Sequence, residues 1–139
     1  MILQVGVKSF LRNSEGNYLL LHRSSVKYPG TKGTWDIPGG RIEPGSRLID
    51  NLRREVKEET RLELGSEPIL LSAQDIIPNG EKHVVRLTYF ARADGVPVLD
   101  TEENVEYEWL SLAELKKHDD VDIYVRELIE KGYLNQFEV

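Results

Sequence analysis

Glu55, Glu58 and Glu59 recur at the i,i+3 and i,i+4 spacings that bring side chains together on a helix, and they follow Gly39, Gly40 and Gly45 in the chain. Like-charged carboxylates at these spacings repel, and burial makes each harder to ionise. Two arrangements relieve that cost. The acids can pair with Arg53, Arg54, Lys57 or Arg61 on a solvated helix, or they can hold a cation. An all-oxygen donor set suits a hard ion, Mg2+ or Mn2+, and His22, His83 and His118 are scattered rather than clustered as zinc or copper would need. The glycines add a second chemistry. Gly39 and Gly40 allow the backbone to approach a ligand closely, Pro38 and Pro44 stiffen the path, and free N–H groups near Ser46 at a helix start could meet phosphate oxygens.

The acids need a helix to position them, and residues 46–60, rich in Leu, Arg and Glu, predict one. At about 100° per residue, Leu48, Ile49, Leu52 and Val56 share an arc that should pack on a sheet. Glu59 projects inside that arc, Glu55 near its edge and Glu58 beside Glu55, so the three acids do not lie opposite the core.

The remaining elements predict the sheet. Strands are expected at residues 2–12, 18–23, 35–37, 68–77, 82–93 and 105–110, with a loop over 24–34 and an antiparallel hairpin turning at Pro78, Asn79 and Gly80. Ser111 and Glu114 form a capping-box pattern opening one helix, and residues 120–131 carry a second that Gly132 should end. The class is mixed α/β (α+β), a sheet covered by helices, and 139 residues suit a single domain over 1–139.

Composition narrows the function. The net charge of -6 disfavours a sequence-blind grip on nucleic acid, so a free polyphosphate would need a local cation. Without Cys there are no disulfides, thiolate metal sites or Cys nucleophile. No apolar run is long enough for a membrane span and no leader pattern is visible, which leads to the expectation of a soluble, cytoplasmic protein without a membrane partner.

From Gly40 to Leu62 the sequence GRIEPGSRLIDNLRREVKEETRL resembles the Nudix box of Nudix hydrolases: seven of nine specified positions agree, namely Gly40, Arg54, Glu55, Val56, Glu58, Glu59 and Leu62. Residues 35–40 and 106–112 resemble the family's lead-in and its late strand and helix start. Ser46 stands where the family has Glu, which puts the anchoring of Arg54 in question, although its hydroxyl can still cap the helix. Arg61 stands where the family has Gly, at a cost of about 1 kcal/mol if it must be left-handed.

The resemblance implies the Nudix fold, a mixed sheet between helices. It implies metal-dependent hydrolysis, MutT-like, of the pyrophosphate link in a nucleoside diphosphate joined to another moiety. Metal ligands would be Glu55, Glu58 and Glu59 holding Mg2+ or Mn2+, with Arg54 orienting the glutamates. Glu58 is the first choice of general base, and Glu102, Glu103 and Glu106 are the other candidates. Arg23 resembles a substrate-contacting position, though a salt bridge explains it equally well, and Gly39 and Gly40 would add backbone contacts. Trp35 is read as core rather than as a base-stacking residue. A nucleoside triphosphate is the favoured substrate. Pro78 stands at a spacing resembling the marker of ADP-ribose hydrolysing members, but a turn accounts for it. Nucleotide sugars, or a module that binds nucleotides without cleaving them, are the alternatives. A monomer or a homodimer is equally compatible.

Overall fold

The computed structural model describes residues 1–30 and 33–138. Thr31 and Lys32, in the expected loop over 24–34, lie outside the described residues. The strands are β1 (Ile2–Arg12), β2 (Tyr18–Arg23), β3 (Trp35–Asp36), β4 (Gly39–Arg41), β5 (Ile69–Ile76), β6 (Lys82–Arg92) and β7 (Asn104–Leu110). The helices are α1 (Leu48–Thr60), α2 (Leu112–Lys117) and α3 (Ile123–Glu130), followed by a 3-10 turn at Asn135–Phe137.

Two long strands form the spine. β1 and β6 pair in parallel from Ile2 opposite Lys82 to Arg12 opposite Arg92. β5 closes the expected hairpin on β6. β1 and β2 meet only at Arg12 and Tyr18, then diverge, so that β1 takes β4 as its antiparallel neighbour while β2 takes β3 and β7. This divergence makes room for a cleft.

Alternation along β1 sends successive side chains to opposite faces, and each face is covered by helices. Val7 and Leu11 pack with Leu52 and Val56 of α1. On the other face, Phe10 and Phe90 pack with Leu112 and Leu115 of α2 and with Val125, Leu128 and Ile129 of α3. The mixed α+β class is therefore observed, with helices on both faces.

Several boundaries depart from the sequence reading. The helix α1 starts at Leu48, its N-cap is Arg47, and no side chain caps it, so Ser46 does not perform the expected capping. Its buried stripe is Asn51, Leu52, Val56 and Thr60, whereas Leu48 is 37% exposed. β4 is not expected from sequence, because two glycines followed by an arginine carry no strand propensity. The capping box holds: the Glu114 N–H donates to Ser111 Oγ and the Ser111 N–H to Glu114 Oε1.

Candidate active site

β4 brings the acids of α1 to the sheet through the two glycines. Gly39 has φ 146°, and a Cβ there would lie 2.1 Å from the Val7 carbonyl oxygen, so no other residue fits without moving the backbone. A Cβ on Gly40 would lie 2.6 Å from Glu55 Oε2. The space of one methyl group is thus occupied by a carboxylate, and the glycines form its cradle.

Each glutamate is held differently. The Gly39 N–H donates to Glu59 Oε1 at 2.8 Å, and Asn104 Nδ2 donates to Glu59 Oε2 at 3.3 Å. Burial pushes the Glu59 carboxyl up to about 7, against the lowering pull of Lys8 and the Gly39 N–H. Burial also raises Glu55, whose side chain is 18% exposed. Glu58 is the outermost, 57% exposed, and accepts two bonds from Arg54 Nη1 at 3.0 and 3.1 Å. The edge-of-stripe placement read from the helical period is what the structure has.

Arg54 is well anchored despite Ser46. Its Nη2 donates to Asn51 Oδ1 at 3.0 Å and lies 3.1 Å from Glu55 Oε1 and 3.7 Å from Glu43 Oε1. Asn51, buried in α1, also accepts from the Glu43 N–H and donates to the Arg41 carbonyl oxygen, tying the β4–α1 loop to the helix. The role in question at Ser46 is therefore carried by Asn51, Glu43 and Glu55.

The three glutamates line a cleft of about 570 Å³. The other surfaces carry charges that the sequence reading passed over. Asp36, buried, accepts from Lys8 Nζ at 2.8 Å and from Arg23 Nη2 at 2.5 Å. Burial alone would raise its carboxyl, but Lys8, Arg86 and Arg23 together hold it well below the usual carboxylate range. Asp122, the N-cap of α3, accepts from Arg86 at 2.9 Å and from Arg23 at 3.3 Å. A sequence signal existed: Lys8 and Arg86 are the charged residues within the largely apolar segments Val5–Leu11 of β1 and Val84–Ala91 of β6. Their partners are far away in the chain, which local patterning does not reveal.

Arg23 both lines the cleft and forms the salt bridges considered for it. Glu103 lines the cleft, bonded to Lys27 and to the Tyr28 hydroxyl, whereas Glu106 faces His22. Glu102 and Glu106 are not among the lining residues. Trp35 stacks on His22 at 4.6 Å and packs on the core beside α2 and α3, as the core reading expects. Pro78 belongs to the connection between β5 and β6, away from the cleft lining.

A hard divalent cation is compatible with this donor set. Among the described residues no ready-made group of three or more acidic or His ligands stands in place. Glu58 is engaged by Arg54 and Glu59 by the Gly39 N–H. Their chemistry still fits: all-oxygen donors, a glycine cradle at Glu55, and a desolvated Glu59 that ionises only near pH 7 without an added positive charge.

Residues 2–131 match the NUDIX domain. The chain belongs to the Nudix family. It is 31% identical over 127 residues to nucleoside triphosphatase NudI of Klebsiella pneumoniae (strain 342), covering 78% of this chain and 83% of that protein. It is 38% identical over 82 residues to the human 8-oxo-dGDP phosphatase NUDT18, covering 59% of this chain but only 24% of that longer protein. The MutT protein of Methanosarcina mazei Go1 superposes with a TM-score of 0.81 at 26% identity, covering 99% of this chain and 96% of the other. Nudix hydrolases generally use divalent metal ions and act on small nucleotide substrates. No helix among the described residues is long and apolar enough to cross a membrane.

Proposed function

We propose that this Nudix chain is a pyrophosphohydrolase that uses Mg2+ or Mn2+ to cleave the anhydride of a nucleoside triphosphate or a related nucleotide. The observation that carries the reading is that Glu55, Glu58 and Glu59 share one cleft with Lys8, Arg23 and Arg86, with Glu59 bonded to the Gly39 N–H and Glu55 packed against Gly40. Its similarity to nucleoside triphosphatase NudI over most of both lengths supports the substrate class.

Glu55, Glu58 and Glu59 would hold the ion, which when bound supplies Lewis acidity, neutralising phosphate charge and making water a better nucleophile. The chain does the positioning. Glu59 is fixed by Gly39 and Asn104, and Glu55 sits in the Gly40 cradle. Arg54 orients Glu58, whose exposed carboxylate accepts the proton of the attacking water. Glu103 is the other base candidate in the cleft, with its carboxylate lowered despite burial by the bonds from Lys27 and Tyr28. Arg23 and Lys8 offer positive charge to the phosphates, offsetting repulsion from an acidic protein.

The test is chromatographic product analysis of nucleoside triphosphates, ADP-ribose and nucleotide sugars incubated with Mg2+ or Mn2+, beside a Glu58→Gln control; a triphosphate would release phosphate or pyrophosphate, and ADP-ribose or a nucleotide sugar would give a nucleoside monophosphate and a sugar phosphate. Metal-dependent turnover of the triphosphates that falls at least a hundredfold in the control is expected. Preference for ADP-ribose or a nucleotide sugar would overturn the substrate class. Binding without cleavage of any compound would overturn the enzyme and leave a nucleotide-binding module.

A further inference from the structure

A row of three residues crosses the sheet beside this site. Gly6 of β1 is the register partner of Arg41 on β4 and of Arg86 on β6, so two arginines flank a position with no side chain. Strand alternation puts Gly6, Arg41 and Arg86 on the face opposite Val7 and Gly40, that is, opposite the face on which α1 packs. All three line the cleft.

The fold does not require a glycine at Gly6. Its φ is not positive, and an added Cβ would meet its nearest atoms, the Gly40 carbonyl oxygen, Arg41 Cδ and Val84 Cγ1, at 3.7 to 3.8 Å, ordinary contact distances. A glycine inside a strand weakens it, and such a position often marks the close approach of a ligand. The Arg41 side chain leans over that gap.

The two arginines are held unequally. Arg86 is fixed by Asp122 at 2.9 Å and lies 5.4 Å from the Tyr124 ring centre. Arg41 makes no ion pair among the described residues, and burial, then the charge of Arg86, lowers its pKa. An anion over Gly6 would relieve that repulsion and receive guanidinium donors from both sides.

We propose that Arg41, Gly6 and Arg86 form a phosphate platform that receives a phosphate group of the substrate apart from the carboxylates of α1. The assignment rests on the reading of the cleft as a nucleotide site. It makes Arg41 and Gly6 determinants of substrate choice.

Calorimetric titration with orthophosphate in EDTA tests the platform without any metal. Saturable binding is expected, at least tenfold weaker in Arg41→Gln and in Gly6→Val, and unchanged in Lys117→Gln, which removes a positive charge outside the cleft lining. A melting scan accompanies each variant, and Gly6→Ala, which makes only ordinary contacts, serves if Gly6→Val fails to fold. With nucleotide substrate, the same changes should raise KM at least tenfold while kcat moves less than threefold. No saturable phosphate binding, or binding equally tight in Arg41→Gln, overturns the platform even if turnover is normal. Phosphate binding that depends on Arg41 upholds it even if no compound is hydrolysed, so the two readings fail separately.

Discussion

Gly39 donates its backbone N–H to Glu59 at 2.8 Å, joining an edge strand of the sheet to the last turn of α1. The bond exists because two adjacent glycines let a helix approach a strand as closely as a side chain normally would. The two glycines fail differently when replaced.

Gly39→Ala sets a Cβ 2.1 Å from the Val7 carbonyl oxygen and forces an L-residue into φ 146°, so the backbone of β1 must move. A loss of at least about 3 kcal/mol is expected. Gly40→Ala meets only the tip of the Glu55 side chain, which can swing away. Its melting temperature should stay within a few degrees of the parent while the Mg2+-induced rise in that temperature shrinks. Equal melting temperatures for the two variants would contradict the cradle.

Glu59 makes the metal-free protein sensitive to pH. Its carboxyl is raised from 4.5 to about 7, chiefly by burial, so between those values the folded chain holds a proton that the unfolded chain has released. Stability therefore falls as pH rises from 4.5 to 7 and levels off above, a change on the order of 3 kcal/mol. Denaturant titrations in EDTA should show that slope in the parent and a flatter one in Glu59→Gln. Mg2+ should stabilise most above pH 7, where the carboxylate is ionised. Parallel pH profiles for parent and variant would refute the assignment.

Much of this was legible in the order of residues, for physical reasons. The period of 3.6 placed Glu59 inside the stripe of α1 and Glu55 at its edge because α1 is regular from Leu48 to Thr60. The same period misplaced Leu48 and missed Asn51 and Thr60, polar residues that are buried because they satisfy backbone groups. Thr60 Oγ1 donates to the Val56 carbonyl oxygen at 2.6 Å and accepts the Leu62 N–H at 3.1 Å. The wall of Lys8, Asp36, Arg86 and Asp122 depends on the parallel pairing of β1 with β6 and on α3 returning to the sheet. Such pairings depend on the whole topology, and no local period encodes them.

Arg61 ends α1 in the left-handed conformation, φ 64°, with its N–H donating to the Lys57 carbonyl oxygen at 2.9 Å. A side chain there costs about 1 to 2 kcal/mol that glycine avoids, partly offset by the greater freedom of glycine in the unfolded chain. Arg61→Gly should therefore raise stability by about 1 kcal/mol, read as a higher denaturant midpoint with an unchanged slope. A lower midpoint would show that the Arg61 side chain contributes more than its strain costs.

Arg54 and Asn51 distinguish positioning from stability. Arg54 is about one-third exposed, and its pairs with Glu55 and Glu58 are worth little to folding, so Arg54→Lys should change stability by under about 1 kcal/mol. A lysine cannot make the forked contact to Asn51, Glu55 and Glu58 together, and mispositioned ligands typically weaken metal affinity by about 10–100-fold. Asn51→Ala leaves the Glu43 N–H and the Arg41 carbonyl without their partner inside the protein and should cost about 2 to 3 kcal/mol. Mg2+ titration beside urea unfolding of both variants checks the pair. If Arg54→Lys binds Mg2+ like the parent, the glutamates are positioned by the Gly39 and Gly40 backbone alone, and the guanidinium is a surface charge.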